Sequence, residues 1–427
     1  MKKTTLLILA LAPFLSPRCA AEESPIALFL DARASGDRRQ YEKTAKILLE
    51  DARKNLPLQQ FLIAVVSSEP DAPQAAKITE EERRKFFELS KYRILALAQK
   101  NNNPAAWYLL SLEKNDAGML KRAADLDEVH ALNEIGVRRL EAARKLPERD
   151  KRAATLMREA FGCFSRAATK TDSNAFYNLG LCYLYGWGNP ADVALAMENF
   201  RLAAAQGHPK AMSRIGEMYR DGNGAEKDHI QAVRYFLMAS NAQNAEGQYN
   251  YANALLAGDG VEKNPARAVD LMKKSAAQGK VEAMDAYARC ICDNVGFPLA
   301  TNGMSQAVAQ KALEKYRAAE SKRRAEAFSI WRFLASNKKY PPAMDSLGEC
   351  YMKGYGTEKD ERLGYLWFKR SADRGHIPAM IHLAECWDEG RGGVVKNHHN
   401  ANWWRTNAEA AKGDRNALVW LGTHKLQ

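Results

Sequence analysis

The stretch that decides the fold is AMSRIGEMYRDGNG, residues 211–224, which returns at residues 343–356 as AMDSLGECYMKGYG. Both copies place small, apolar or aromatic residues at offsets 0, 4, 5 and 8 from the first Ala, and Gly at offsets 11 and 13. The first four offsets form one stripe of a helix. Gly at offset 11 is typical of a helix end, because Gly accepts the left-handed conformation. The stretch therefore predicts a helix, called helix A, that ends in a Gly-x-Gly turn.

The same pattern recurs along the second half of the chain with a period of 36 residues. Its first positions are Ala175, Ala211, Gly247 and Ala283, and then Ala343 and Ala379. Asp or Asn at offset 17 predicts the N-terminus of a second helix, called helix B, since these side chains cap free N–H groups. Helix B carries small and aromatic residues at helical spacing and ends at pairs such as Gly207-His208. A fixed period of this length predicts a solenoid of helix pairs.

These units resemble the Sel1-like repeat family, a relative of the tetratricopeptide arrays. Family units read as an Ala-Leu-Gly-Tyr helix, a Gly-x-Gly turn and an Ala-Tyr/Trp-Ala-Ala helix closed by Gly-His. The resemblance covers about residues 173–427 in five clear units. It implies an all-α, right-handed superhelical solenoid of about 36-residue repeats, with scaffold roles in bacterial envelope assembly, stress handling or host contact.

The remaining sequence divides into three regions before the array. Residues 1–21 are predicted to be a secretory signal peptide, because two lysines precede an apolar run and small residues stand before Glu22. A lipid anchor on Cys19 is disfavoured by Arg18. Residues 22–102 are expected to form a helical cap, and residues 103–172 degenerate repeats. A helical insertion is expected near 295–324, inside the array. The protein is thus expected to be exported, to the periplasm or beyond the cell.

Composition excludes several classes of protein. The chain has 427 residues, of which 46% are hydrophobic, so it is too apolar for a disordered chain. Its 63 Lys and Arg exceed its 51 Asp and Glu, but the two signs are interleaved, which argues against a nucleic-acid partner. Beyond the signal peptide, no apolar run has the roughly 18 residues that a transmembrane helix needs.

The sequence shows no set of catalytic, cofactor or metal-binding residues. The Gly-x-Gly pairs follow predicted helices, whereas a nucleotide-binding loop follows a strand. His398-His399 has no accompanying ligands at metal-site spacing. Ser-x-x-Lys occurs from Ser111 and from Ser336, without the further motifs of a penicillin-recognising site. We therefore expect no enzyme activity, no cofactor and no metal.

The cysteines are interpreted mainly as core residues. Four of them share offset 7 of helix A, where other units have Met or Ala, which indicates a small apolar core position. One pair, Cys163 and Cys182, lies on a B helix and the following A helix and is the candidate for a disulfide. The alternative is that both are free.

The resemblance further implies that helix A lines the concave face of the solenoid. Residues at offsets 2, 3, 6, 9 and 10, off the buried stripe, are then candidates for binding a protein, a peptide or an envelope glycan. They are Asn178, Tyr185, Arg214, Glu217, Arg220, Asn250, Asn253, Arg289, Glu349 and His382. If they bind a partner, charge reversal of Arg214 and Arg220 is expected to abolish capture and to leave the fold intact.

The function predicted from these patterns is that of a scaffold or adaptor that binds proteins. One alternative is a cell-envelope protein of another kind, either a hydrolase-like enzyme or a binder of peptidoglycan or other glycans. A second is a structural element that assembles through its ends, which an apolar surface around Trp420 and Leu421 would favour.

Overall fold

The computed structural model describes residues 25–54, 56–67, 73–147, 150–299 and 306–423. Within these ranges the chain is helical and contains no strand, so the predicted all-α solenoid of tandem helices is confirmed. The chain forms two compact units, Met1–Tyr251 with Asp259–Val261, and Ala252–Gly258 with Glu262–Gln427. The predicted signal peptide, residues 1–21, lies outside the described residues.

The first unit is built from helices that each pack on the next one along the chain. They are α1 (Pro25–Ser35), α2 (Arg38–Arg53), α3 (Pro57–Val66), α4 (Glu80–Asn101), α5 (Pro104–Lys114), α6 (Ala117–Asp125), α7 (Val129–Arg144), α8 (Lys151–Ala168), α9 (Ser173–Tyr185), α10 (Val193–Ala205), α11 (Pro209–Asp221), α12 (His229–Asn241) and the first half of α13 (Ala245–Ala257). Helices α7, α9, α11 and α13 are A helices, and α8, α10 and α12 are B helices.

The second unit continues the alternation. Its helices are the end of α13, then α14 (Pro265–Ala277), α15 (Val281–Cys292), α16 (Gln306–Asn337), α17 (Pro341–Lys353), α18 (Glu361–Ala372), α19 (Ile377–Glu389), α20 (His398–Ala411) and α21 (Arg415–Thr423). In the region of the predicted insertion the structure has α16, a single helix of 32 residues. Its C-terminal part takes the place of helix B, with Trp331 buried and its Nε1 donating to Asp285 Oδ1 at 2.8 Å.

The helix boundaries follow the sequence signals. Asp192 and Asp228 at offset 17 accept hydrogen bonds from Leu195 N and Gln231 N, and so cap α10 and α12. At the other end, Gly222 adopts φ +70° and its N–H bonds to Met218 O, which ends α11. Gly adopts this dihedral with less strain than a residue with a Cβ, so Gly is favoured there.

A contact between Gly and Phe sets the distance between the helices of a pair. At offset 5, a Cβ added to Gly216 would lie 2.5 Å from Phe236 Cε1, and one added to Gly180 would lie 2.5 Å from Phe200 Cε1. The phenylalanine rings therefore occupy the space that a side chain would need. Gly348 and Phe368 repeat this arrangement in the second unit, with a distance of 2.6 Å.

The cysteines at offset 7 are core residues, as predicted: Cys182, Cys290, Cys350 and Cys386 are all buried. The predicted Cys163–Cys182 disulfide is absent, since both residues are free thiols. Cys163 is half-buried beside Arg139, whose Nη1 donates to its Sγ at 3.5 Å. Cys182 belongs instead to an apolar cluster with Leu140 and Phe164. Burial raises the pKa of the Cys182 thiol to about 12, so this thiol stays protonated and apolar.

The described helices include none that is both long and apolar enough to cross a membrane.

The Gly–Phe contact leads to a test of the packing. We expect Gly216→Ala to lower the free energy of unfolding by about 1–3 kcal/mol, because its methyl group overpacks the contact with Phe236. The matched control is Gly162→Ala in α8, where nothing lies within 4 Å of an added Cβ. That change should raise stability by about 0.5–1 kcal/mol, since Ala is the better helix former. Urea denaturation followed by circular dichroism measures both values. Equal effects of the two substitutions would contradict the packing argument.

Candidate binding face of the A helices

A polar chain of contacts crosses three successive A helices of the first unit. Arg214 Nη1 on α11 donates to Glu217 Oε2 at 2.8 Å, and Asn250 Nδ2 on α13 donates to Glu217 Oε1 at 3.2 Å. On the other side, Tyr177 on α9 is close enough to Arg214 for each to affect the pKa of the other. Burial lowers the pKa of Arg214, but Glu217 and Tyr177 outweigh that effect and raise it above its usual value. We call Tyr177, Arg214, Glu217 and Asn250 the inner ladder.

The inner ladder corrects two expectations from the sequence. Asn250 is not an open groove residue, because its side chain is buried against Glu217 with 5% of its surface exposed. Arg214 is half-buried and already paired, so its reversal to Glu would place two carboxylates side by side. Such a change would disturb the fold as well as binding.

Two of the predicted residues are open to solvent on the same helices. Tyr185 at the end of α9 is 49% exposed, and Arg220 on α11 is exposed and paired with its neighbour Asp221. Tyr185 stacks on Trp187 with the ring centroids 4.7 Å apart. The guanidinium of Arg144, on α7, lies 4.4 Å from the centroid of the Trp187 ring. This layer of two aromatic rings and a cation is a contact surface of the kind that dominates protein interfaces.

Asn178 belongs to a second, deeper network. Its Nδ2 donates to Asn133 Oδ1 at 3.4 Å, and Asn133 Nδ2 donates to Asp172 Oδ1 at 2.6 Å. Asp172 also accepts from Ala175 N and so caps α9. Burial and the nearby Asp31 raise the pKa of the Asp172 carboxyl to about 6. Asn178 is therefore a supporting residue of the face.

The N-terminal helix α1 packs on the array at this point. Asp31 Oδ1 on α1 lies 3.1 Å from His130 Nε2, and Glu128 Oε1 lies 2.9 Å from His130 Nδ1. Further along, Lys210 Nζ on α11 donates to Ala34 O, near the end of α1. Within the first unit, α1 thus contacts the N-terminal ends of successive A helices.

The charge of His130 is set by these neighbours. Burial alone lowers its pKa, but the Glu128 carboxylate and the hydrogen bond with Asp31 raise it well above the usual value. An imidazole with a carboxylate on each nitrogen is held as the imidazolium.

In the second unit, the predicted residues on α15, α17 and α19 gather around two buried aspartates. Arg289 Nε donates to Asp285 Oδ2 at 3.1 Å. His382 Nδ1 lies 2.8 Å from Asp345 Oδ1, and His382 Nε2 lies 3.4 Å from Glu349 Oε1. Burial raises the pKa of Asp345, but the hydrogen bond with His382 and the nearby imidazole of His376, whose Nε2 lies 3.7 Å from Asp345 Oδ2, outweigh burial and lower this pKa. The remaining predicted residue, Asn253 on α13, is half-buried.

The sequence prediction missed the residues that organise each network. Asp285 and Asp345 both occupy offset 2, where other units have Tyr177, Ser213 or Ile381. An aspartate at offset 2, where other units have Tyr, Ser or Ile, was a signal that its carboxylate pairs with another side chain. Asp31 and His130 are 99 residues apart and lie outside the clear repeats, so no periodic signal connected them.

Comparison with known families identifies the array. The Sel1 repeat model matches residues 173–208, 209–244, 245–280, 341–376 and 377–404. The chain carries five Sel1 repeats. The matched segments follow the predicted units, and the gap between residues 280 and 341 contains α15 and α16. None of the curated proteins matches this chain.

Solved structures that resemble this chain include three bacterial proteins. A protective antigen of uropathogenic Escherichia coli with an SLR fold is 26% identical, with 72% of this chain and 67% of that chain covered and a TM-score of 0.42. A Sel1 repeat protein from Oxalobacter formigenes is 22% identical, with 65% and 99% covered and a TM-score of 0.49. An immunity protein from Pseudomonas aeruginosa is 18% identical, with 57% and 83% covered and a TM-score of 0.32.

The inner ladder of these Sel1 repeats leads to a prediction about stability. We expect Arg214→Ala to lower the free energy of unfolding by about 1–3 kcal/mol, because the mostly buried Glu217 carboxylate loses its charged hydrogen-bond partner. Arg220→Ala, about one helical turn beyond Glu217 and paired with the exposed Asp221, should change this free energy by less than about 0.5 kcal/mol. Chemical denaturation compares the two. A larger loss for Arg220→Ala would show that the ladder is not what stabilises the face.

The raised pKa of His130 leads to a prediction about pH. A group whose pKa is higher in the folded state stabilises the fold fully below its unfolded pKa, about 6.5 for His, and this stabilisation is lost as pH rises through the folded pKa. The free energy of unfolding should therefore fall above about pH 6.5, and this fall should be smaller in His130→Gln. His398→Gln, at a mostly exposed histidine, is the control and should keep the wild-type slope. Denaturation series between pH 6 and 9 measure the slopes. An unchanged slope in His130→Gln would refute the assignment.

Proposed function

We propose that the protein is an exported scaffold that binds a protein partner through the A helices of its first unit. Sel1 repeats are typically protein-interaction scaffolds, which supports the general class. The choice of surface rests on the contrast between the inner ladder and the side chains beside it.

The observation that carries this proposal is the stack of Arg144, Trp187 and Tyr185, together with Arg220 on α11; we call these four side chains the outer patch. Arg144, Tyr185 and Arg220 are exposed, and Trp187 is half-buried. These side chains project from or follow A helices whose positions the inner ladder and the Gly–Phe contacts hold. A partner that binds a rigid surface loses little conformational freedom of the scaffold on binding. Tyr, Trp and Arg are also the residues that contribute most to binding energy at protein interfaces.

The chemistry of the outer patch indicates the kind of segment that it binds. Arg144 and Arg220 are exposed guanidinium groups, and such groups form paired hydrogen bonds with carboxylates, as Arg220 does with Asp221. The Tyr185 and Trp187 rings offer a flat apolar surface next to Arg144. We therefore expect the bound segment to carry Asp or Glu next to an apolar side chain.

Binding is tested with the double variant Tyr185→Ala/Arg220→Glu as bait. Neither residue belongs to the inner ladder, so the helical signal and the melting temperature should stay close to those of the wild type. We expect the variant to bind its partner at least about tenfold more weakly, the effect of losing about 1.4 kcal/mol. Pull-downs from envelope extract identify the partner by mass spectrometry, and titration with the purified partner measures the affinity.

The matched control is Arg234→Glu on the B helix α12. Arg234 is exposed, so this change makes the same charge reversal away from the A helices. It should leave the affinity unchanged. A partner that binds the double variant as tightly as the wild type, or that is lost with Arg234→Glu, would refute binding through the outer patch.

Export is tested separately by the mass of the protein recovered from cells. If residues 1–21 are a signal peptide, the exported chain begins at Glu22, and reversal of both positive charges of the n-region by Lys2→Glu/Lys3→Glu should reduce processing. Fractionation followed by intact-mass measurement gives the result. A full-length chain in the cytoplasmic fraction would contradict export.

A further inference from the structure

A pocket of about 310 Å³ lies between α6, α7 and α8 in the first unit. Its apolar lining includes Ala124, Leu132 and Ile135, of which the first two are buried. Arg139 and Cys163 also line it, and both are half-buried, so the pocket opens to solvent. Apolar cavities of about 150 Å³ are large enough for benzene, so this pocket has room for one aromatic side chain.

The repeat explains why space is left at this place. In the clear units, offset 8 of helix A carries a large apolar or aromatic residue, and four of these residues pack on a ring of a neighbouring B helix. The ring centroids are 5.6 Å apart for Tyr183 and Phe161, 5.9 Å for Tyr219 and Tyr235, 5.5 Å for Tyr351 and Phe328, and 6.3 Å for Trp387 and Tyr365. In α7 the residue at offset 8 is Arg139. The degenerate unit formed by α7 and α8 therefore lacks this ring.

The B helix of the degenerate unit lacks a large side chain as well. The residue that precedes the phenylalanine of the Gly–Phe contact is Tyr235 in α12, Trp367 in α18 and Asn199 in α10, but it is the smaller Cys163 in α8. Before Cys163 stands Gly162, where an added Cβ would meet no atom within 4 Å. The pocket is thus the space that larger side chains fill in other units.

Arg139 can stack on a ring although it is already paired. Its Nε donates to Glu159 Oε2 at 2.6 Å. The N–H groups of a guanidinium point outward in its plane, so such a bond leaves the faces of the group uncovered. Arg324 in the second unit shows both contacts together, because it pairs with Glu320 at 2.8 Å and lies 4.1 Å from the centroid of the Tyr355 ring.

The ring that would fit the pocket is not supplied by the chain itself. None of the described residues that line the pocket is aromatic. The nearest rings on α8 are engaged elsewhere, since Phe161 packs on Tyr183 and Phe164 is buried against Gly136. From Glu22 onward, the segments outside the described residues contain no Phe, Tyr or Trp. A ring in this pocket must therefore belong to another molecule.

We propose that this pocket, which we call the ring pocket, receives a Tyr, Phe or Trp side chain of a partner polypeptide. The ring packs on Leu132 and Ile135 and stacks on Arg139, and so takes the place of the ring that the degenerate unit lacks. Aromatic side chains that enter pockets contribute much of the binding energy at protein interfaces. The ring pocket shares no residue with the outer patch, so it is a second contact beyond the proposed function.

The test titrates the chain from Glu22 onward with the peptide Gly-Gly-Tyr-Gly-Gly, followed by ligand-observed NMR. We expect a dissociation constant on the order of 1 mM, because one side chain supplies little binding energy. The matched control peptide is Gly-Gly-Leu-Gly-Gly, which lacks the ring. It should bind about 2- to 5-fold more weakly, since an aliphatic side chain gains no attraction from the guanidinium.

Substitutions in the ring pocket locate the binding. Cys163→Tyr introduces the residue that α12 has as Tyr235 and should weaken binding of the Tyr peptide at least about tenfold, whereas Cys163→Ser keeps the pocket open and should bind as the wild type does. Arg139→Gln should bind the Tyr and Leu peptides equally. The outer-patch variant Tyr185→Ala/Arg220→Glu should keep wild-type affinity for the Tyr peptide. Circular dichroism shows whether each variant is folded.

A second measurement needs no substitution. The other five cysteines of the described chain are buried, so iodoacetamide should alkylate Cys163 first. At about 10 mM, the Tyr peptide should slow this reaction about tenfold. The same assay with p-cresol, a ring without a main chain, tests for a small aromatic ligand instead of a polypeptide. No protection by the Tyr peptide, protection by p-cresol alone, or equal peptide binding by folded Cys163→Tyr would each overturn the proposal.

Discussion

The close approach of paired helices at offset 5 is the constraint on which the rest of the structure depends. Gly136, Gly180, Gly216 and Gly348 each face a phenylalanine ring where a Cβ would lie, at 2.4–2.6 Å from a ring atom. Because the pair is this close, the neighbouring position at offset 7 accepts only small or flexible apolar residues. The same constraint fixes the outward-facing offsets of helix A at regular intervals. The polar networks lie directly on this apolar contact, since the Tyr177 ring is 5.9 Å from that of Phe200 and the His382 ring is 4.7 Å from that of Phe368.

The sequence predicts the repeat, its helix ends and the core positions, because these depend on contacts within one unit. Offsets 0, 4, 5 and 8 repeat in every clear unit, and each cap lies next to the helix that it starts. Even the degenerate unit keeps the contact, since Gly136 faces Phe164 although α7 has 16 residues, against 13 in α9 and α11. Contacts within one unit were therefore sufficient to predict the repeat and its helices.

The candidate site was predicted less completely, because the position of a residue in the repeat fixes the direction of its side chain but not how deeply that side chain is buried. Asn178, Arg214, Asn250 and His382 all occupy offset 3, yet Asn250 is buried and the other three are half-buried. How deeply a side chain is buried depends on which residue of the adjacent repeat contacts it, as Glu217 contacts Asn250. The free Cys163 and Cys182 show the same limit, because whether two thiols meet depends on the rotation of helices about their axes. Periodicity does not encode that rotation.

The packing of α1 changes how the first unit is expected to fold. A solenoid in which each repeat touches only its neighbours gains stability step by step, and its ends can fray independently. The bond from Lys210 Nζ to Ala34 O joins positions 176 residues apart, and α1 also contacts α9. Closing so long a loop is slow and raises the contact order of the unit. The first unit should consequently unfold as one cooperative block. During synthesis, α1 can take its final place only after α11 has been made.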